Sequence, residues 1–532
     1  MIDYDIIVSG GKNVWTDGDP AKQPHLMTVL AANIRNSKHP KLADKKESWA
    51  QRIEVKAAAQ AEAARPAEVS HAQVTTLAMQ LSSNNAGGKQ ITISIGAFVA
   101  LTGSSGDLNF QYAGQLATQD MNAALAAGPA GKHINFDVEM RDDASSTPTA
   151  LGLVPAFVGL GVKALVSDSM SGIATAVNAM NYDVTQPLGL PITCAACTSG
   201  SINDPNATNS DPSLQAGYQD LDNWLRRTTI SNVGVSDIQL RDLMSRGPNH
   251  DGDANGNGVV NIGVIQSNDT LGLATLATFP TAIPLVRQWQ GLTTAPAVTT
   301  YPVLYDPTLD PNSYNYAADL AKVMAQAPLD ALWDGGQPAQ MEGYAVAYHN
   351  GGYTIPMTNM GSFLRDATLQ ALGGNGEGQE AVNNVIVANN ASGAVFASEF
   401  EASSGSKPAG YDSSVYDAYI VTMLAILKAA LPLADPSTVA PADVRTALDQ
   451  LNVPTGEVIR TGTAEFTKAI AAIAAGHDIN YEGASGPVDF DSVGNVRGDL
   501  ATYRIVNGQF SLVEEYDCIN HTADWNCPVV QQ

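Results

Sequence analysis

The stretch that decides the fold begins with Ile91-Thr-Ile-Ser-Ile-Gly-Ala-Phe98 and ends with Ile134-Asn-Phe-Asp-Val-Glu-Met-Arg-Asp-Asp143. β-Branched and aromatic residues recur in both segments, which predicts two strands. Residues 112–127 between them are rich in Ala, with Leu, Gln and Met, which favours a helix. A strand, a helix and a second strand in this order predict a right-handed βαβ unit with parallel strands.

The same alternation continues along the chain. The further strands are predicted at 163–168, 259–269, 299–305, 329–335 and 383–389. The further helices are predicted at 173–180, 238–245 and 314–326. Because these units are too many for one compact sheet, the sequence predicts an α/β protein with two lobes and parallel sheets flanked by helices. Such sheets bind ligands at the carboxyl ends of their strands.

The charge of the chain excludes one class of partner. Among 532 residues, 53 are acidic and 28 are basic, which gives a net charge of -25. A surface of this sign repels phosphate backbones, so no nucleic-acid partner is expected. No run of about eighteen apolar residues occurs, which predicts a soluble chain without a transmembrane helix.

Residues 1–88 differ from the rest of the chain. Residues 38–65 are rich in Ala, Lys, Glu and Gln, which is typical of a solvated helix, and 82–88 reads as a linker. We expect a partly helical N-terminal extension that is a candidate for oligomeric assembly. The first residues lack the basic and apolar regions of a secretory signal, so a signal is either absent or removed upstream of this numbering.

The four cysteines form two close pairs. Cys518 and Cys527 flank a short polar loop, and this spacing allows a disulfide in an oxidising compartment. Cys194 and Cys197 form a CxxC motif in a loop that lacks the remaining ligands of a zinc site. The pair is read as small buried side chains, with the redox and zinc alternatives left open.

Motifs for catalysis are missing from the sequence. It contains no G-x-S-x-G elbow and no H-E-x-x-H pair, and its eight His residues are scattered. We therefore expect a protein that is not an enzyme and that needs no cofactor.

One loop resembles the first half of a calcium site. Asp251, Asp253 and Asn255 supply oxygen ligands at alternate positions before a Gly, but Ile262 stands where the bidentate Glu belongs. The alternatives are a calcium site and a surface turn rich in Gly, Asn and Asp.

From residue 91 to about 513 the chain resembles the periplasmic solute-binding proteins of the branched-chain amino acid type, which serve ABC importers. The resemblance rests on the order and spacing of several motifs. They are IGAFVALTG (95–103), ALVSDSMSG (164–172), LPITCAACTS (190–199), NWLRRT (223–228), VIQSNDTLG (264–272), YDA (416–418) and YEGASGPVDFDSVG (481–494).

The resemblance implies a type I binding-protein fold with two lobes joined by three hinge crossings. The first lobe would comprise 89–225 and 390–480, and the second would comprise 226–389 and 481–515. Residues 516–532 would form a C-terminal tail. A solute would be trapped between the lobes.

The resemblance also implies ligand contacts. In the first lobe they would be Ser171, Ala195 and Cys197, although Ser171 is equally well read as a helix N-cap. In the second lobe Leu271 replaces the family's aromatic residue, and the family's Glu is absent from the segment Gly335-Gly-Gln-Pro-Ala-Gln340. Asp334 is the candidate substitute for that Glu, or else it caps the end of a strand.

These features together predict an extracytoplasmic or periplasmic protein that captures a small solute and delivers it to an ABC permease. An amino acid or a related amide is the expected solute. The alternative is a sensor or an oligomeric assembly protein that reuses the same scaffold.

Overall fold

The computed structural model describes residues 90–128, 133–207, 212–292, 296–521 and 524–530. The predicted extension at 1–88 lies outside these ranges. Residues 89–532 form one compact unit. Within the described ranges, this unit contains two large sheets, one in each lobe.

The first lobe is built on a parallel sheet with the strand order β2-β1-β3-β4-β5. Its strands are β1 (Ile91–Val99), β2 (Ile134–Asp142), β3 (Leu165–Ser167), β4 (Ile192–Cys194) and β5 (Leu225–Arg227). Its first helices are α1 (Leu108–Ala127), α2 (Thr147–Leu160), α3 (Ser171–Ala179) and α4 (Pro212–Gln219). The predicted βαβ unit at the start of the chain is therefore confirmed.

The second lobe is built on a mixed sheet with the order β14-β13-β10-β9-β8-β6-β7. The strands are β6 (Val259–Ser267), β7 (Ala297–Tyr305), β8 (Ala331–Asp334), β9 (Met357–Met360), β10 (Glu380–Asn384), β13 (Leu500–Val506) and β14 (Gln509–Tyr516). The helices are α5 (Asn232–Ser245), α6 (Thr270–Trp289), α7 (Tyr316–Met324), α8 (Pro338–Asn350) and α9 (Asp366–Leu372). β13 and β14 are antiparallel, whereas β6 to β10 are parallel.

After β10 the chain returns to the first lobe. There it adds α10 (Ala391–Ser404), α11 (Asp412–Ala430), α12 (Pro441–Leu448) and α13 (Thr463–Ala474). Two short strands, β11 (Glu457–Ile459) and β12 (Ile479–Tyr481), pair in parallel. In the chain β11 lies between α12 and α13, and β12 follows α13.

Side chains of β1 alternate between the two faces of the sheet, and the first lobe has a hydrophobic core on each face. Ile93, Ile95 and Ala97 pack with α1, α11 and α13 on one face, while Phe98 packs against Phe157 of α2 on the other. Successive side chains of a strand point to opposite faces, so a sheet covered on both sides needs apolar residues at nearly every position.

The central helix of the first lobe, α11, is long and apolar enough to span a membrane by length and composition. Its apolar stretch is 89% buried inside the protein. The helix is therefore accounted for as a core helix of the first lobe, with helices α1, α12 and α13 around it.

Three chain segments cross between the lobes and lie side by side. Ile230 in the first crossing bridges to Val496 in the third, and the Val385 N–H in the second donates to the Asp499 carbonyl at 3.0 Å. The strand predicted at 383–389 is found earlier in the chain, at Glu380–Asn384, because the residues after Asn384 form this second crossing.

The third crossing lies further along the chain than the sequence predicted. Tyr481, Ala484, Val488 and Val496 pack in the core of the first lobe, so the boundary placed at residue 481 moves to the segment before Leu500. The physical reason is a buried carboxylate: Asp417 of α11 accepts hydrogen bonds from the segment 481–485 and fixes it there.

The predicted C-terminal tail is packed on the second lobe. Cys518 and Cys527 form a disulfide, both are buried, and they contact Val235 and Ile238 of α5. Arg497 lies over the ring of Trp525, 4.0 Å from its centroid. The tail therefore extends the core of the second lobe.

The Cys518–Cys527 disulfide gives the first prediction. We expect the double variant C518A/C527A to lower the free energy of unfolding by about 2–3 kcal/mol, because a closed loop restricts the unfolded chain. Urea unfolding of the variant and the wild type measures this difference. An unchanged urea midpoint would show that the bond does not stabilise the fold.

Candidate functional site

A cleft of about 960 Å³ lies between the two lobes. Its walls come from loops that follow β1, β2, β3 and β4 in the first lobe and β6, β7, β8 and β9 in the second. The main lining residues lie in the segments 103–107, 144–148, 168–172, 269–271, 307–312, 336–338, 360–365 and 410–411, together with Ala196 and Thr198. The carboxyl ends of both sets of parallel strands therefore face one cavity, as the rule for open α/β sheets requires.

The turn between β3 and α3 forms one wall of the cleft. Ser171 is the first residue of α3, and the N-cap residue, Met170, makes no side-chain hydrogen bond. The Ser171 hydroxyl oxygen accepts from the Ser199 N–H at 3.1 Å, which leaves its proton available as a donor. Ser171 lines the cleft, and its binding of a ligand stays a prediction.

Ala195 and Cys197 do not line the cleft, which corrects the expectation for the first lobe. Both are fully buried, and Cys197 is bonded to Cys194 at the end of β4. Because the disulfide turns the Cys197 side chain into the core with Ile192, the neighbouring Ala196 and Thr198 face the cavity instead. The CxxC motif is thus a buried disulfide that shapes the wall of the cleft.

The second lobe presents the start of α6. Leu271 lines the cleft in the first turn of this helix. The N-cap, Asp269, accepts from the Gly272 N–H at 2.9 Å and from the Gln337 amide at 2.8 Å. Its carboxylate therefore ties two lining loops together.

Asp334 does not line the cleft, which corrects its assignment as a ligand-binding residue. It ends β8 and is fully buried, and this burial raises the pKa of its carboxyl well above the usual range. Gly336 and Gln337, two and three residues later, reach the cavity. The Gln337 N–H donates to the Tyr305 hydroxyl at 2.8 Å.

The two lobes touch at the rim of the cleft. The Ser105 hydroxyl donates to Gln337 Oε1 at 2.7 Å, and the Ala339 N–H donates to the Ser104 carbonyl at 3.2 Å. A second contact joins the Tyr218 and Thr270 hydroxyls at 2.5 Å. These contacts hold the lobes close together around the cavity.

Comparisons with known proteins bear on this architecture. No protein-family model and no curated protein matches the sequence. Solved structures do match. The leucine-binding protein LivK of Thermotoga maritima is 14% identical, with a TM-score of 0.58 over 80% of this chain and 98% of that chain.

Two further solved structures have a similar fold. The substrate-binding protein LivJ of Streptococcus pneumoniae, in complex with isoleucine, is 17% identical with a TM-score of 0.56, covering 80% of this chain and 99% of that one. A solute-binding protein of an ABC transporter from R. palustris, in complex with benzoate, is 14% identical with a TM-score of 0.56, covering 83% and 98%. This chain has the type I periplasmic-binding-protein fold. At these identities the similarity concerns the fold alone.

Within the type I fold, the hinge is linked to the cleft by an arginine that the sequence did not single out. Arg227 is buried at the first crossing, and its guanidinium donates to the carbonyls of Cys197 at 3.2 Å and Ser199 at 2.8 Å. It also donates to Asn495 of the third crossing at 2.7 Å. Burial lowers its pKa to about 10, so it stays charged at neutral pH.

The loop proposed for calcium lies outside the cleft of this type I fold. The Asp253 carboxylate accepts from the Asn257 N–H at 3.0 Å and from the Gly258 N–H at 2.7 Å. Asp251 accepts from the Asp253 N–H, and Asn255 accepts from the Asn257 N–H. These bonds account for the loop's composition as a series of polar turns, and calcium binding stays a prediction.

Proposed function

We propose that this protein is an extracytoplasmic solute-binding protein that captures a small solute between its lobes and delivers it to an ABC-type permease. The observation that carries the proposal is the cleft of about 960 Å³ between two lobes that are joined by three adjacent crossings. This volume falls in the range of pockets that enclose small organic ligands.

The chemistry of the cleft favours binding over catalysis. Among the described residues, its lining contains neither His, the commonest general acid–base, nor Cys, a common nucleophile. We infer a protein that binds its solute without changing it.

The disulfides support the proposed location. Cys194–Cys197 and Cys518–Cys527 are both bonded and buried. Disulfides persist in secreted and periplasmic proteins, whereas cytosolic thiols are kept reduced. The periplasm or the outer face of a membrane therefore fits the chain.

An amino acid or a related amide is the solute that we propose. The start of α3, with its helix dipole and the Ser171 hydroxyl, suits a carboxylate that has no cationic side chain beside it. Arg365, the cation among the described lining residues, already pairs with Glu342 at 2.7 Å. LivJ and the R. palustris protein were solved with isoleucine and benzoate, which both carry a carboxylate.

The mechanism would be hinge closure. A solute that contacts loops of both lobes binds the closed form better than the open form and shifts the equilibrium toward closure. Opening would break the rim contacts between Ser105 and Gln337 and between Ser104 and Ala339. The hydrogen bonds among the three crossings would stay and define the hinge axis.

A thermal-shift panel of amino acids, amides and aromatic acids tests this function. A solute present at about 100 times its dissociation constant adds about 2.7 kcal/mol to the free energy of unfolding. We expect at least one member to raise the melting temperature with one-to-one stoichiometry in calorimetry. A panel without any shift, or turnover of a bound member, would contradict the proposal.

Oligomeric assembly through residues 1–88 stays a prediction. Light scattering of the full chain measures it directly: a monomer favours the transport receptor, and an oligomer favours the assembly alternative.

A further inference from the structure

An acidic pair lies at the first lobe's side of the cleft. Asp168 follows β3, lines the cavity and is fully buried. One of its oxygens, Oδ2, accepts from the Tyr419 hydroxyl at 2.7 Å, whereas Oδ1 has no hydrogen-bond partner in the part of the chain that the structure describes. Asp143 lies close to it after β2, fully buried, with Oδ1 accepting from the Ser145 N–H at 2.8 Å.

The described surroundings leave these carboxyls without a positive charge. The main charged influence on Asp168 is Asp143, which repels it, and Asp142 acts in the same sense on Asp143. Burial raises the pKa of Asp143 to about 6 and that of Asp168 well above its usual range. Arg365 is held by Glu342 on the other lobe.

A buried carboxyl with an unused acceptor destabilises a fold unless something pairs with it. Buried acids with strongly shifted pKa values that sit in a cleft are concentrated at functional sites. The position of Asp168 at a strand end, on the wall of the cleft, makes a bound solute the natural partner.

We propose that Asp168, supported by Asp143, binds the cationic nitrogen of the solute through its unpaired Oδ1. This inference rests on the proposed function and specifies its substrate class: a small molecule with an ammonium or amidinium group. Ser171 lies three residues further along the same turn, so a carboxylate at the start of α3 and a cation at Asp168 would belong to one compact zwitterion.

An organic cation fits this site better than a metal ion. The described residues contain no group of three His, Cys, Asp or Glu side chains that could hold a metal. The Tyr419 hydroxyl already donates to Oδ2 of Asp168, which leaves Oδ1 as the acceptor for one ligand N–H. A metal ion would need several more oxygen ligands.

Matched probes test the inference by calorimetry at pH 7.5. The probes are leucine, 4-methylpentanoate and 3-methylbutylamine, with phenylalanine, 3-phenylpropanoate and 2-phenylethylamine as a second set, and calcium and manganese chloride alone. We expect the amine-bearing member of a set to bind about 10- to 100-fold more tightly than its amine-free acid, the effect of one hydrogen bond to a charged group.

The variant D168N makes the test specific. Asparagine keeps an acceptor for Tyr419 but cannot carry a negative charge, so the preference for amines should fall to near one. Its melting temperature without ligand should equal or exceed that of the wild type, because the unpaired acid is gone. D183N, which alters an exposed acid of the same lobe outside the cleft, is the control and should keep the preference.

Each outcome decides one point. Tight binding of the amine-free acids with no preference for amines overturns the inference and leaves the proposed function standing. Binding of a metal ion that D168N abolishes, without amine binding, overturns it as well. If D168N keeps the preference or lowers the melting temperature of the empty protein, Asp168 is structural. If no probe binds the wild type, the proposed function fails and the inference fails with it.

Discussion

Replacing Asp417 by leucine is expected to lower the free energy of unfolding by about 3–5 kcal/mol, because several buried donors lose their acceptor at once. Asp417 lies in α11 and is fully buried. Its carboxylate accepts from the Tyr481 hydroxyl at 2.7 Å, the Ala484 N–H at 2.9 Å, and both the N–H and the hydroxyl of Ser485 at 2.8 and 2.6 Å. Burial raises its pKa to about 6, so the side chain is ionised at pH 7.

The same carboxylate explains a glycine in the facing segment. A β-carbon at Gly483 would lie 2.4 Å from Asp417 Oδ2, so no larger residue fits there without moving the helix or the loop. The motifs YDA (416–418) and YEGASG (481–486), which stand far apart in the sequence, thus contact each other in the structure and stabilise the first lobe.

Urea unfolding of D417L, D417N and the wild type measures the effect. D417N keeps one acceptor oxygen and should lose less stability than D417L. The control E401L removes an exposed acid of α10 in the first lobe and should leave the urea midpoint nearly unchanged. A midpoint for D417L equal to that of the wild type would show that this contact does not hold the lobe together.

Filling the cleft should abolish binding without harming the fold. Gly172 is the second residue of α3 and lines the cavity. The nearest atoms to a β-carbon there would be the hydroxyl oxygen of Thr270 in the other lobe, at 3.9 Å, and that of Thr147, at 4.0 Å. In Gly172→Phe the β-carbon therefore fits without a clash, and the phenyl ring should occupy the space between the lobes.

We expect G172F to weaken solute binding at least about 100-fold, which corresponds to a loss of about 2.7 kcal/mol. Its melting temperature should stay within about 3 °C of the wild type. The control G152F places the same ring on α2, at an exposed position with open space around it and outside the cleft. Calorimetry with a solute identified by the panel should show normal binding for G152F, and equally tight binding by G172F would contradict the assignment of the cleft.

The sequence predicted the parallel framework because each long strand carries its own signal. Long strands such as β1 and β6 are rich in Ile and Val, and the helices between them leave little choice of topology. The strands β4 and β5 have only three residues each and were not found. β5 also contains two buried arginines, Arg226 and Arg227, which give it the composition of a polar segment. The antiparallel pair β13 and β14 was missed although its signal is present: Asn507-Gly508, both with positive φ, form the two-residue turn between the strands.

The site was predicted only in part. The sequence shows which loops follow strand ends, but it does not show which side chains of those loops face the cleft. The segments around Ser171 and Leu271 reach the cleft, since both follow strand ends. Cys197 was wrong because its direction depends on a disulfide that turns it inward. Asp168 stood within a quoted motif, and its signal was an acid directly after a buried apolar strand.

Native mass spectrometry of the wild type and G172F, after incubation with the solute panel, tests whether the cleft captures a solute. We predict that the wild type carries one small solute per chain, that G172F carries none, and that both show the narrow distribution of low charge states of a compact fold. A wild type that retains no solute under these conditions, or a G172F that retains as much as the wild type, would contradict the claim that this cleft captures a solute.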